Sequence, residues 1–272
     1  MASFIDFLSA IFSKSPAQAP QPAASAPTAE PIPAPQTAPV VLTPAPVVFA
    51  PPVPVAAPLA PSRGVGITIA HLVAMGASPA NAAKYCKAYN DACERYDITS
   101  QARICAFVSQ TFEESGCLSR TRENLNYTIE NLMTVWPHSF PNAQSTAGYV
   151  MNPEALANKQ YGRRDDNTQP GDGWKYSGRG VIQITFRDNY EPCGKSLGID
   201  LVNHPELLEQ PEYAVMSAGW YWRDQAHCNE LADGDSVEAM TEITRKINGG
   251  LTRLTLRLDL WRKAKSVFAE FK

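Results

Sequence analysis

Beyond residue 64 the apolar positions recur mostly with a helical period. Ala82, Tyr85, Cys86, Tyr89, Cys93 and Tyr96 return every three to four residues, which predicts an amphipathic helix with an aromatic buried face. Ser100 is suited to cap a second helix running through Ser115, with Ile104, Phe107, Val108 and Thr111 as its inward stripe and Gly116 as its stop. Residues 212–223 read as a strongly apolar helix carrying Trp220 and Trp222. Residues 236–247 read as another, ended by Asn248-Gly249-Gly250. A last helix starts near Thr252, with Leu254, Leu258, Trp261, Lys265 and Phe268 on one side. Residues 124–174 are rich in Asn, Pro, Gly and Tyr and predict loops with short helical turns. Residues 178–185 predict one brief extended segment, because Val181, Ile182 and Ile184 are β-branched. Strands are too few for a parallel sheet, so the expected class is mainly α, with at most a very small β-sheet.

The pattern stops abruptly on the N-terminal side. Fifteen of the 23 prolines fall between Ser15 and Ser62, with Glu30 as the lone charge. Proline fixes φ and removes a backbone donor, so neither helix nor sheet propagates there. Polyproline II or coil is left, as a semi-rigid tether or a disordered arm. The division expected is a short amphipathic segment over 1–13, a Pro/Ala-rich linker over 14–63 and a folded domain over 64–272. In the first segment Phe4, Ile5, Leu8, Ile11 and Phe12 sit at helical spacing, but there is no basic region before them, and Asp6 and Ser9 break the apolar run. No convincing signal peptide is read, and no run of about 18 apolar residues is present to span a bilayer. A frayed terminus is the favoured reading, with a weak membrane contact through residues 1–13 as the alternative.

Charge and cysteines narrow the picture further. Lys14 and Arg63 cancel Asp6 and Glu30, so the net charge of −3 belongs to the remaining 209 residues. That balance argues against nucleic acid as a partner. Cys86, Cys93, Cys105, Cys117, Cys193 and Cys228 show no CxxC pair. They read as small buried hydrophobes rather than metal ligands, with disulfides open if the protein works outside the cytosol.

Candidate chemistry lies in three places. Glu114 falls at the edge of the buried stripe of its helix, three residues beyond Thr111, whereas Glu113 falls opposite it and is expected to be solvated. Partial desolvation would raise the Glu114 pKa and suit it to general-acid work; a structural helix-end carboxylate is the plain alternative. Glu123, past the Gly116 break, could face Glu114 across a cleft, as glycosidic hydrolysis requires of two carboxylates, or could be a solvated loop residue. The run from Tyr176 to Thr185, with Asn189 and Tyr190 after it, offers amide, hydroxyl and aromatic groups around a Gly-Arg-Gly turn. Such groups suit sugar hydroxyls and N-acetyl amides, but the same run also reads as a turn before a core strand.

Taken together these segments resemble glycoside hydrolase family 19, in particular its phage-endolysin branch. Phe107 to Gly116 is similar to the family's helix ending in His-Glu-Ser-Gly, and Glu123-Asn-Leu-Asn-Tyr127 to its second-carboxylate segment. Gly171 to Tyr190, Asn203-His-Pro-Glu-Leu207 and Ile247-Asn-Gly-Gly250 resemble three more motifs in the same order. The resemblance implies a lysozyme-like, two-lobed helical domain and an inverting mechanism. It implies Glu114 as acid, Glu123 as base and Thr185 as a holder of the attacking water. Gln183, Asn189, Tyr190 and Asn248 would line sugar subsites, Tyr127 would contact substrate, and Arg257 would orient the acidic groups. Two positions depart from the pattern: Glu113 stands for the usual His, and Cys117 for the usual Gly.

The function expected is an endolysin-type lysozyme cleaving the β-1,4 glycan of bacterial peptidoglycan. A chitinase is the rival of like chemistry. A catalytically inactive wall-binding or virion structural protein is the rival of another class. The partner expected is the glycan strand, with no cofactor, no metal and a monomeric state. The site of action expected is the periplasmic wall, after synthesis in the cytoplasm of a bacterial host.

Overall fold

The structure, a computed structural model, describes residues 65–271. The expectations for the N-terminal segment, and for the linker over 14–63, lie outside the described residues.

Among the described residues eleven α-helices follow one another: α1 (Ile69–Met75), α2 (Pro79–Arg95), α3 (Gln101–Ser115), α4 (Ile129–Val135), α5 (Pro153–Tyr161), α6 (Asp172–Lys175), α7 (Arg187–Leu197), α8 (Pro211–Trp220), α9 (Cys228–Ala232), α10 (Val237–Asn248) and α11 (Leu254–Val267). Short 3₁₀ turns occupy Ala143–Thr146 and Pro205–Glu209, and a π-turn, Tyr221–Gln225, extends α8. Among the described residues there is no strand, so the class is mainly α as expected.

Side-chain caps account for many of the boundaries. Ser78, Ser100, Thr128, Asn152 and Ser236 each accept a hydrogen bond from a backbone N–H of the helix they open, which satisfies one of the donors a helix start leaves free. Gly116 and Gly249 close α3 and α10 in the left-handed conformation, which glycine adopts without a Cβ penalty.

The apolar residues gather in two clusters. The larger is built from α1, α2, α3 and α7 to α11. At its centre runs α3, with α11 and α2 against it, and every residue from Ile104 to Ser115 is buried. The smaller holds Leu125, Tyr127, Leu132, Trp136, Phe140, Leu156, Ala157, Tyr161 and Phe186. This second cluster is the physical counterpart of the smaller lobe.

The extended segment expected over 178–185 is instead a tight turn. Only isolated bridges join Arg179 to Arg122 and to Ile184. Gly180 at φ +82° and Gln183 at φ +60° are left-handed, and a pleat cannot propagate through such residues.

Candidate active site

Glu114 is positioned by the end of α3. Gly116, Cys117 and Leu118 are three successive left-handed residues, so the chain reverses immediately after the carboxylate pair. Ser115 fastens the reversal: its hydroxyl donates to Thr111 O (2.7 Å) and accepts from Leu118 N (2.9 Å). From α2, the Tyr89 hydroxyl donates to Thr111 Oγ1 at 2.8 Å in the core.

The Glu114 carboxylate meets Arg257, which is fully buried. Every face of that guanidinium is in use. Nε donates to Thr252 O (3.2 Å), Nη1 to Gln110 Oε1 (2.5 Å), and Nη2 reaches both Glu114 and Glu113. Gln110 is itself held by donating to Thr244 Oγ1 of α10 at 3.1 Å. Burial pushes the Glu114 carboxyl up, the charge of Arg257 pulls it back, and Glu113 pushes it up again; the outcome is raised. Arg257 thus lies against both acidic groups of the α3 end.

Glu113 corrects the sequence reading. Expected on a solvated face, its side chain is wholly buried and pairs with Arg257 Nη2 (2.8 Å) and Arg253 Nε (3.0 Å). The helical-wheel argument assumed that α3 keeps one face in water. A central helix enclosed on all sides has none.

Glu123 belongs to a different setting. Its N–H donates to Gly178 O (3.1 Å), and Gly180 N donates to Thr121 O (2.8 Å). These bonds lay the Glu123 segment along the Gly-Arg-Gly turn. The Tyr161 hydroxyl of α5 donates to Glu123 Oε2 at 3.2 Å, and Oε1 is buried. Among the described residues the hydrogen-bond partner of the carboxylate is this neutral hydroxyl rather than a cation. Burial therefore pushes its pKa up to about 8, against the Tyr161 bond, the Gly178 backbone bond and the more distant charges of Arg179 and Arg122. Tyr127 lies behind, its ring edge-on to Trp136 at 4.9 Å, with its hydroxyl pushed up to about 12 by burial and by Glu123.

The turn after Gly180 brings three of the expected residues together. Gln183, Thr185 and Asn189 line one cleft of about 210 Å³ with Asp165, Asp188, Tyr221 and Ile247. They order one another: Gln183 Nε2 donates to Gly180 O (2.8 Å), Thr185 Oγ1 to Gln183 O (3.0 Å) and Asn189 Nδ2 to Thr185 O (2.9 Å). The close backbone approach at Gly180 serves α8: a Cβ there would stand 2.9 Å from Ser217 Oγ. Tyr221, which lines the cleft, has its hydroxyl pKa raised by burial first and then by the charges of Cys228 and Glu114.

Two expected subsite residues lie elsewhere. Tyr190 is a core residue: its hydroxyl donates to Ser177 O (2.6 Å) and accepts from Arg179 Nη1 (3.1 Å). Asn248, at the end of α10, is fully buried beside the cleft residue Ile247. Arg179 emerges as the pin of the turn, with further bonds to Glu209 Oε1 (2.9 Å) and Lys175 O (2.8 Å). Tyr161, Arg253, Tyr221 and Asp188 carry no sequence signal, because only tertiary packing places them. Asp188 is pushed up to about 6, by partial burial first and then by Asp165 and Asp166.

Among the described residues no group of three His, Cys, Asp or Glu is placed to hold a metal ion. All six cysteines are free thiols, four of them buried.

Comparison with known proteins places this arrangement in a family. Residues 77–234 match the glycoside hydrolase family 19 model, described as chitinase class I. The chain is 38% identical over 171 residues to a glycosyl hydrolase family 19 domain-containing protein of Haemophilus influenzae, covering 62% of this chain and 82% of that protein. It is 31% identical over 172 residues to the basic 30 kDa endochitinase of Solanum lycopersicum, covering 57% of this chain and 48% of the plant protein. The matched stretch thus spans about half the length of that plant relative. In fold it is similar to chitinase C from Streptomyces griseus HUT6037, with a TM-score of 0.55 at 21% identity over 76% of this chain and 94% of that one. The chain belongs to glycoside hydrolase family 19.

Proposed function

We propose that this glycoside hydrolase cleaves the β-1,4 bonds of bacterial peptidoglycan with inversion, Glu114 acting as general acid and Glu123 as general base. The observation that carries the acid and base roles is the contrast in carboxylate settings: Glu114 closed in with Arg257, Glu123 on the smaller cluster beside Tyr161. Protonated Glu114 would deliver its proton to the leaving oxygen, and Arg257 would then stabilise the carboxylate left behind. The Thr185 hydroxyl has its own proton committed to Gln183 O. Its oxygen is left to accept from the attacking water, which orients that water's lone pair toward the sugar. Glu123 would take the water's second proton, which needs its carboxylate ionised. Gln183 and Asn189, which line the cleft, supply amides for sugar hydroxyls and N-acetyl groups.

The substrate reading is supported by the bacterial relative matched over most of that relative's length. A chitinase is the second reading, favoured by the plant relative, which is an endochitinase by name. One assay separates them: turbidity loss of outer-membrane-permeabilised bacteria against release of sugar from N-acetylglucosamine oligomers. Clearing of the cells with a far slower attack on the oligomers is expected. Rapid hydrolysis of the oligomers with no clearing would replace peptidoglycan by chitin. Action on the wall from within a bacterial host, as an endolysin, is part of the same proposal.

A further inference from the structure

The buried pair at the end of α3 holds one carboxylate more than the proposed reaction uses. Glu113 and Glu114 are adjacent, both buried, and both reach the same nitrogen, Arg257 Nη2. Glu113 also binds Arg253 Nε at 3.0 Å. Among the described residues no hydrogen bond other than these two guanidinium contacts reaches its oxygens. The result is a chain in which guanidinium and carboxyl groups alternate, Arg253–Glu113–Arg257–Glu114.

The order of the chain matters. Were Glu113 neutral, Arg257 and Arg253 would direct their whole attraction at Glu114. A lone carboxylate beside two guanidinium groups ionises readily and gives up the proton a general acid must hold. With Glu113 present, Arg257 is shared between two carboxylates and Arg253 is engaged by the first. We propose that Glu113 is a positioning residue of the reaction: it anchors Arg257 and absorbs the charge of Arg253, so that Glu114 keeps its proton at neutral pH. The inference rests on Glu114 being the general acid.

The neighbours are consistent with this assignment. Arg253 and Arg257 approach from the α11 side, and Tyr221 approaches Glu114 from the π-turn. Thr244 of α10 reaches the cluster only through Gln110. Cys117, just after α3, feels Glu113 and Lys263 of α11, and Lys246 of α10 acts on Cys228 of α9. Burial raises the Glu114 carboxyl, Arg257 and Arg253 lower it, and Glu113 raises it.

The test is the pH profile of turnover on a soluble glycan oligomer, with direct titration of carbon-13-labelled Glu side chains in the intact protein. Activity falls at high pH as the acid loses its proton. In Glu113→Gln that alkaline limb is expected about one pH unit lower, with the Glu114 resonance titrating lower by the same amount. kcat at pH 7 should drop roughly tenfold with KM changed less than about threefold. Glu113→Asp should restore part of the limb. Arg253→Gln tests the same idea with the opposite sign. Arg253 is about one-third exposed (34%), so its replacement is tolerable to folding, and the limb should move to higher pH. An unmoved limb in Glu113→Gln, or a downward move in Arg253→Gln, overturns the role. If Glu113→Gln fails to fold, the Arg253→Gln result decides alone. Full activity in Glu114→Gln would instead overturn the acid assignment, a separate failure.

Discussion

The two candidate carboxylates, Glu114 and Glu123, sit in opposite kinds of surroundings. Glu114 ends a helix buried on every side and touches a fully buried guanidinium. Glu123 lies in a loop beside the smaller cluster, with a tyrosine hydroxyl rather than a cation as its hydrogen-bond partner. Burial raises both, yet what opposes burial differs: a full charge at one site, a neutral hydrogen bond at the other. Similar pKa directions therefore come from unlike machinery. The Glu114 side is fixed by packing and ion pairs. The Glu123 side hangs on one hydroxyl and a backbone bond, and is the easier to retune.

The largest effect should come from removing the proton donor. Glu114→Gln keeps the shape of the side chain, and turnover should fall by about 10²–10⁴-fold while the far-ultraviolet circular dichroism spectrum stays that of the folded protein. A variant that clears substrate at the parent rate would leave the Arg257-linked carboxylate with a structural role only.

A smaller effect is expected on the other side. Tyr161→Phe deletes the hydroxyl that stabilises ionised Glu123, so the pKa should rise beyond about 8. A base works only when ionised, so the low-pH limb of the activity profile should move to higher pH, with turnover at pH 7 down roughly 3–10-fold. The limb staying in place would separate Glu123 from the base role.

The smallest effect concerns stability. The folded pKa of Glu123, about 8, lies above that of a free glutamate, about 4.3. Between those values the folded state holds a proton that the unfolded chain has lost. The associated stabilisation is complete below about pH 4.3 and is lost as pH rises through about 8. Gln cannot ionise, so Glu123→Gln should gain in Tm over the parent as pH increases, by about 2–4 °C at pH 9 once partial exposure is allowed for. Melting curves at pH 5 and pH 9 check this, and an equal difference at both would mean that Glu123 ionises freely in the folded state.

Much of the frame was legible in the sequence wherever a periodic stripe met a punctuating residue. Ser100 and Gly116 bound α3, and Ser236 and Gly249 bound α10, because caps act through local backbone geometry. Other elements were not. The helix α7 contains Pro192, and α5 lies in a region dominated by loop formers; in each, tertiary packing overrides composition. In the site, Gln183 and Thr185 stand in one short turn and Asn189 on the first turn of α7, and the structure brings them to one cleft. Tyr190, one residue further along α7, points into the core because each helical step rotates the side chain by about 100° away from its neighbour. The buried state of Glu113 had no local sign. Both neighbours that neutralise it lie more than a hundred residues along the chain, and no periodicity in α3 reports them.

The unbroken burial of α3 from Ile104 to Ser115 also has a kinetic meaning. A helix with a wet face can fray or open locally, and its amides then exchange hydrogen with solvent through small fluctuations. This one has no such face, and its last turn is tied down by Ser115 and the left-handed reversal after it. Its amides can reach water only when the surrounding helices separate, so their exchange should follow global unfolding. Glu114, the proposed acid, is thus carried on the part of the domain expected to open last.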